Sequence, residues 1–241
     1  MRKILFPTLL LLLGCGREFE PDLTGWKAYT YPGRKIYLEI NQRKKTIELP
    51  GDEHVGYRYA QWTAGSQLVV TQLTKTNTCF DYQIITIDTT GNILDTVYKA
   101  PVNTALNFKL APNDSLMLLK TYIDNCDGEE GSNYQYTFYN RYLKKAQYDT
   151  IVVGSSRGIP LQETIWSPNS KKVIISAWSG FLTEAFTYDL TTKDTTYIDI
   201  GGNFQWSPTD HEVVAYIKDH SIYTKNIRSG EKELIYQGKE K

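Results

Sequence analysis

The sequence predicts an all-β chain assembled from repeated four-stranded units. Three observations predict it. Tyrosine is abundant, at 18 of 241 residues, alongside many Thr, Val and Ile, the residue types that suit a pleated, half-buried surface. Apolar residues come in short runs bounded by turn residues, without long stretches of 3.6-residue periodicity. A tight turn between two strands recurs at intervals of 37 to 52 residues, close to the period of about 40 to 50 expected for a four-stranded unit.

The chain opens on Met1-Arg2-Lys3, followed by an apolar run over residues 4–13 that contains Pro7. A membrane-spanning helix needs about 20 apolar residues, so this run has the length of a secretory signal instead. It ends Leu12-Leu13-Gly14-Cys15: an aliphatic residue, a small residue, then cysteine. This resembles the lipobox of bacterial lipoproteins. The resemblance implies that residues 1–14 are a cleaved signal peptide and that the Cys15 thiol carries diacylglycerol. It also implies a short lipidated tether over residues 15–21. Several acyl chains on one cysteine anchor a protein stably where one chain is marginal. Gly16 follows the cysteine, where an aspartate would favour inner-membrane retention by the same resemblance, so the expected location is the outer membrane.

Residues 22–241 read as one domain, since all-β architectures reach this size as a single unit. Loss of Arg2 and Lys3 leaves 25 basic against 27 acidic residues. There is no basic stretch of the kind that tracks a phosphate backbone, which excludes nucleic acid as the main partner.

The repeat is clearest in two segments, Trp166-Ser167-Pro168-Asn169-Ser170-Lys171-Lys172-Val173 and Trp206-Ser207-Pro208-Thr209-Asp210-His211-Glu212-Val213. Each is a strand ending in an aromatic residue, a Pro-containing turn with Asn, Asp or Ser to bond the local backbone, then an apolar strand. Both resemble the W-S-P-D-G-K turn of TolB-type, WD-like β-propeller repeats. Leu110-Ala111-Pro112-Asn113-Asp114-Ser115 and Trp62-Thr63-Ala64-Gly65-Ser66-Gln67 are weaker copies. A second hairpin recurs at Asn41, Asp88, Asn140, Asp189 and Asn226, which the resemblance places between the third and fourth strands. Five such hairpins against four of the first kind imply a five-bladed propeller with a short first blade. Leu68-Val69-Val70, residues 116–119, Val173-Ile174-Ile175 and Val213-Val214-Ala215 then supply second strands covered on both faces. Trp62, Trp166 and Trp206 belong to packing.

Two cysteines remain, Cys79 and Cys126. Both fall in loops between second and third strands of adjacent blades, on one face. A disulfide between them is expected in an exported protein, with two free thiols as the alternative. The loop around Cys126 is acidic, with Asp124, Asp127, Glu129 and Glu130. These carboxylates are candidate ligands for Ca²⁺, which takes about six to eight oxygens; their spacing is not that of an EF-hand, and a solvated loop is the simpler reading. Trp178 and Phe181 lie in the corresponding loop of the next blade. They either pack between blades or stack on a sugar or protein partner. Gly154-Ser155-Ser156-Arg157-Gly158 matches a hydrolase nucleophile motif in letters, but Ile159-Pro160 follows where a helix is needed. His54, His211 and His220 lack metal spacing.

No reaction is implied by any of these patterns. The expected function is a non-enzymatic binding or scaffold module of the cell envelope, held at the bilayer through Cys15 and meeting an envelope protein or glycan, without a cofactor. A carbohydrate-binding or carbohydrate-active protein is the alternative. An enzyme of that kind needs paired carboxylates, and only Glu163 is prominent near an inner strand.

Overall fold

The computed structural model describes residues 27–30, 35–40, 43–77, 79–124, 130–154, 161–178 and 183–238. Among these residues the chain forms twenty strands and no helix. The strands build five antiparallel sheets in chain order. Blade 1 contains β1 (Lys27–Thr30), β2 (Lys35–Ile40) and β3 (Arg43–Glu48). Blade 2 contains β4 (Val55–Trp62), β5 (Leu68–Lys75), β6 (Phe80–Ile87) and β7 (Ile93–Lys99). Blade 3 contains β8 (Thr104–Leu110), β9 (Leu116–Asp124) and β10 (Glu130–Asn140). Its fourth strand is broken into β11 (Lys145–Ala146) and β12 (Ile151–Gly154), which pair with the same edge of β10. Blade 4 contains β13 (Leu161–Trp166), β14 (Lys172–Trp178), β15 (Thr183–Asp189) and β16 (Thr195–Ile200). Blade 5 contains β17 (Gly202–Trp206), β18 (Val213–Lys218), β19 (Ser221–Asn226) and β20 (Lys232–Tyr236). The architecture is the expected β-propeller of five blades with a short first blade.

The turns form for the reasons the repeat suggested. Asp88, Asn140, Asp189 and Asn226 each use one side-chain oxygen to accept two backbone N–H groups of the turn that follows. This satisfies donors that leave the strand ladder at the hairpin. In the first turn of blade 4, Ser167 Oγ and Asn169 Oδ1 do the same for Lys172 and Lys171. The turn of blade 5 holds one more residue: Trp166 pairs with Val173, whereas Trp206 pairs with Val214 rather than Val213.

Blade 1 lacks its innermost strand among the described residues. The side chain of Lys45 on β3 reaches Thr89 O in the last turn of blade 2. Gly91 of that turn, at φ +98°, lies so close to the Glu48 carbonyl that a Cβ would clash. Elsewhere these contacts are made by a fourth strand: Lys144, in the last turn of blade 3, bonds Asp95 and Thr96 O of β7. So β3 is a fourth strand and β1 a second strand.

The tryptophans tie neighbouring blades together. Trp206 Nε1 donates to Ile165 O and Trp166 Nε1 to Lys109 O, each at 3.0 Å. Each acceptor is the penultimate residue of the preceding inner strand. Trp62 occupies the same position, and its buried Nε1 has no acceptor among the described residues; the matching place in blade 1 lies outside them.

Among the described residues, four apolar clusters fill four joints between consecutive blades. Their central residues are Ile36, Ile47 and Leu68 between blades 1 and 2, and Val69, Ile84 and Met117 between blades 2 and 3. Phe138 stacks on Tyr188 and meets Trp166 edge-on across the third joint. Phe204 stacks on Tyr216 at the fourth. Second strands of the middle blades are covered on both faces, so that all of residues 68–73 are buried on β5. On β18 of blade 5 only Val214 and Tyr216 are buried, while Val213 and Ala215 are half-buried and Ile217 is exposed. The expectation of two-sided burial fails at Val213 and Ala215 because no cluster covers the far face of that blade among the described residues.

Candidate binding site on the loop face

In a four-stranded meander, the loops joining second to third strands leave the same edge as those passing to the next blade. This face carries the segment with Cys79, the β9–β10 loop and the β14–β15 loop. Cys79 is buried just ahead of β6, and its N–H donates to Thr76 Oγ1 at 3.0 Å. Asp124 ends β9 and Glu130 begins β10, directly opposite each other in the ladder. Cys126, Asp127 and Glu129 lie outside the described residues, as do Cys15 and Phe181. Trp178 ends β14 opposite Thr183. Among the described residues, no group of three His, Cys, Asp or Glu converges as a metal site.

The blades present unequal loops here. The β9–β10 hairpin has strands of nine and eleven residues, while β18 and β19 have six each. Asp219 and His220 join the latter pair, both at positive φ, as a two-residue hairpin of the type I′ kind requires. His211, although a turn residue, is half-buried and its Nδ1 is enclosed.

A cavity of about 60 Å³ opens between blades 2 and 3 near this face. Arg58 and Tyr59 come from β4, Tyr82 from β6, Asn107 from β8, and Lys120 and Tyr122 from β9. The inner strand β4 bulges by one residue between Arg58 and Gln61. The bulge holds Tyr59 at φ 54° and leaves it 45% exposed. A bulky side chain in the left-handed region is a costly choice. The inner strand of blade 5 bulges at the matching position, three residues before its tryptophan, and there Asn203 takes φ 53°. Asparagine tolerates this region through local hydrogen bonding, so blade 2 stands apart in putting tyrosine there.

Lys120 Nζ lies 4.2 Å from the centre of the Tyr134 ring, and Tyr122 meets that ring edge-on. Among the described residues, two cations and no carboxylate line the cavity. A larger groove, about 350 Å³, lies on the opposite face between blades 4 and 5. Its Lys172 already pairs with Asp189 at 3.3 Å and Glu212 at 2.9 Å. Burial raises the Asp189 carboxyl, but bonds from Thr192, Thr191 and Lys172 outweigh it and hold the group below its usual range. That groove is largely neutralised from within.

The sequence reading missed Arg58, Tyr59, Asn107, Lys120 and Tyr122. A signal was available: Tyr57-Arg58-Tyr59 puts a charge inside an inner strand, four residues ahead of Trp62.

No protein-family model and no curated protein matches the sequence. Solved structures do match. TolB from Acinetobacter baumannii aligns at a TM-score of 0.56 and 13% identity, over 89% of this chain and 53% of that one. An oligogalacturonate lyase solved in complex with manganese aligns at 0.56 and 12%, over 88% and 62%. A prolyl endopeptidase aligns at 0.59 and 13%, over 88% of this chain but 34% of that one. The class is therefore a β-propeller, and its fold is TolB-like. The chain spans about half the length of TolB, and the differing roles of these proteins leave function to be argued from the site.

Proposed function

We propose that this protein is a membrane-anchored, non-enzymatic binding module of the bacterial cell envelope, held at the outer membrane. Lipid on Cys15 holds it to the bilayer, and the loop face engages an envelope protein or glycan. The observation that carries the reading is the cationic, tyrosine-lined cavity beside the second-to-third-strand loops. Exposed aromatic and arginine groups around a recess are the usual anchors of recognition. A disulfide between Cys79 and Cys126 belongs to the same proposal, as a staple between two loops of adjacent blades. The bonded state of the Cys79 sulfur is in keeping with it, and such a bond needs a Cα separation of roughly 4.4–6.8 Å, which loops of adjacent blades can reach.

Fractionation of cells expressing Cys15→Ser tests the anchor. The variant should leave the membrane fraction as folded, soluble protein, and its retention there would refute the lipid anchor. Pull-down from envelope extract with the released protein tests the binding role.

A further inference from the structure

We infer that the chain's own N-terminal segment completes blade 1. Residues 15–19 add to the open edge of β1 as the innermost strand, and the Glu18 carbonyl accepts the Trp62 indole N–H. The inference goes beyond the binding-module reading and holds with or without lipid on Cys15.

Unpaired groups mark the place. Among the described residues β1 pairs with β2 alone, whereas in blades 2 to 5 the second strand also pairs with an inner strand. An open strand edge presents backbone donors and acceptors to another strand. In the neighbouring blade, Trp62 Nε1 is buried without an acceptor. Trp166 and Trp206 each donate to the penultimate residue of the inner strand one blade back. A stranded buried donor is costly, and one strand in blade 1 supplies both the ladder for β1 and the acceptor for Trp62.

Register and sequence choose the same residues for that strand. On β14, Ile174 pairs with Thr187, two residues before the hairpin residue Asp189. On β9, Leu118 pairs with Phe138, two before Asn140. The equivalent on β1 is Lys27, which pairs with Glu39, two before Asn41. The inner strands of blades 4 and 3 end eight residues before Ile174 and Leu118, at Trp166 and Leu110. Eight residues before Lys27 stands Phe19. Phe19-Glu20-Pro21-Asp22 then overlies Trp166-Ser167-Pro168-Asn169 and Leu110-Ala111-Pro112-Asn113 residue for residue. Pro21 matches Pro168 and Pro112. Asp22 matches Asn169 and Asn113, whose side chains accept backbone N–H groups of the turn. The tryptophan acceptors Ile165 and Lys109 lie opposite Ile174 and Leu118. The same register sets Glu18 opposite Lys27 and makes it the acceptor for Trp62.

Five residues ending at Phe19 have the length of β17 and start at Cys15. Inner strands begin on the loop face, where each connection arrives from the blade before. Most of the segment expected as a tether is therefore taken up by the fold. A lipid on Cys15 then leaves the propeller from the loop face, beside blade 1, and that face meets its partner at the bilayer surface. This last consequence rests on the Cys15 reading; the strand itself does not.

Amide hydrogen exchange on the mature chain carrying Cys15→Ser tests the strand. Alternate amides of residues 16–19 should exchange about tenfold or more slowly than an unprotected chain, as in a strand paired along one edge. A nuclear Overhauser contact should join the Trp62 indole proton, assigned by its loss in Trp62→Phe, to the Glu18 backbone. Unprotected exchange throughout residues 16–19 would overturn the inference, and so would a Trp62 indole proton in contact with another segment instead. Protection of β1 that rises with protein concentration, while residues 16–19 stay unprotected, would also overturn it, because a second copy would then hold that edge. None of these outcomes bears on the lipid anchor or on capture of an envelope partner, which fractionation and pull-down decide.

Discussion

Asp199 shows how single residues fix the joints between blades. It sits near the end of β16 and accepts from Tyr216 OH at 2.6 Å, Lys232 Nζ at 2.7 Å and Lys218 Nζ at 3.0 Å, all in blade 5. Burial pushes its carboxyl pKa up. The bonds from Lys232, Tyr216, Lys218 and the Ile200 N–H outweigh burial and hold the pKa well below the usual carboxylate range. A depressed folded-state pKa contributes stability that is present above the unfolded value of about 3.9 and lost as pH falls toward the folded one. Asp199→Asn should therefore lower stability at neutral pH, and its deficit against the native chain should shrink below about pH 4. Urea titrations at pH 7 and pH 3 check this; a deficit of constant size at both would remove Asp199 from the account. The same residue scale explains what sequence alone concealed. Asp199 has no repeat signature, because its partners Lys218 and Lys232 lie 19 and 33 positions away. The cavity cation Arg58 left one faint trace, a charge inside an inner strand, since a bulge rather than a motif places it.

At the scale of the element, the first-to-second-strand turn reports on both repeat and site. Ser66, Asp114 and Ser170 occupy one position of this turn in blades 2, 3 and 4, at φ 59°, 61° and 60°. The repeat resemblance puts glycine at that place, for which a left-handed φ carries no side-chain penalty. Two of these residues look interchangeable in sequence, yet their surroundings differ. Ser170 Oγ accepts the Asn113 N–H of the neighbouring blade at 2.9 Å, and Ser170 is buried. Ser66 lies in a half-buried turn, and its backbone N–H donates to Thr63 O. Ser66→Gly should raise stability by up to about 1 kcal/mol through relief of the left-handed strain. Ser170→Gly gains the same relief but strands a backbone donor, a larger cost, and should lose about 1 kcal/mol net. Denaturant midpoints with unchanged m-values read both signs, and two changes of the same sign would contradict the inter-blade role of Ser170. Hairpins were legible in sequence because Asn, Asp, Ser and Pro act through the local backbone. Turn length was not: the extra residue before Val214 emerged only from the strand register. Nor did any local signal mark the break between β11 and β12.

For the whole molecule, the number of blades followed from the hairpin period, while the evenness of their burial did not. Periodicity cannot tell a covered second strand from one with a single covered face, and β18 reads like the others. Repeat architectures draw stability from each neighbouring joint, so a blade with one joint should open more readily than one with two. Amide exchange should accordingly be faster on β18 and β19 than on β5 and β6, whose ladders have similar pairing. Equal protection would mean that the far face of blade 5 is covered in solution. The exposed Ile217, Ile222 and Leu234 would then be expected to report that cover through slowed surface labelling.

The hairpins of blades 3 and 5 have a consequence for traffic across the molecule. A strand rises about 3.4 Å per residue, so β9, three residues longer than β18, carries its end roughly 10 Å farther. The rim is thus a parapet on one side and a low sill at Asp219 and His220 on the other. A bulky ligand would meet less obstruction over Asp219 and His220 than beside the described ends of β9 and β10. The cavity between blades 2 and 3, which Lys120 and Tyr122 of β9 help to line, lies beside that taller hairpin.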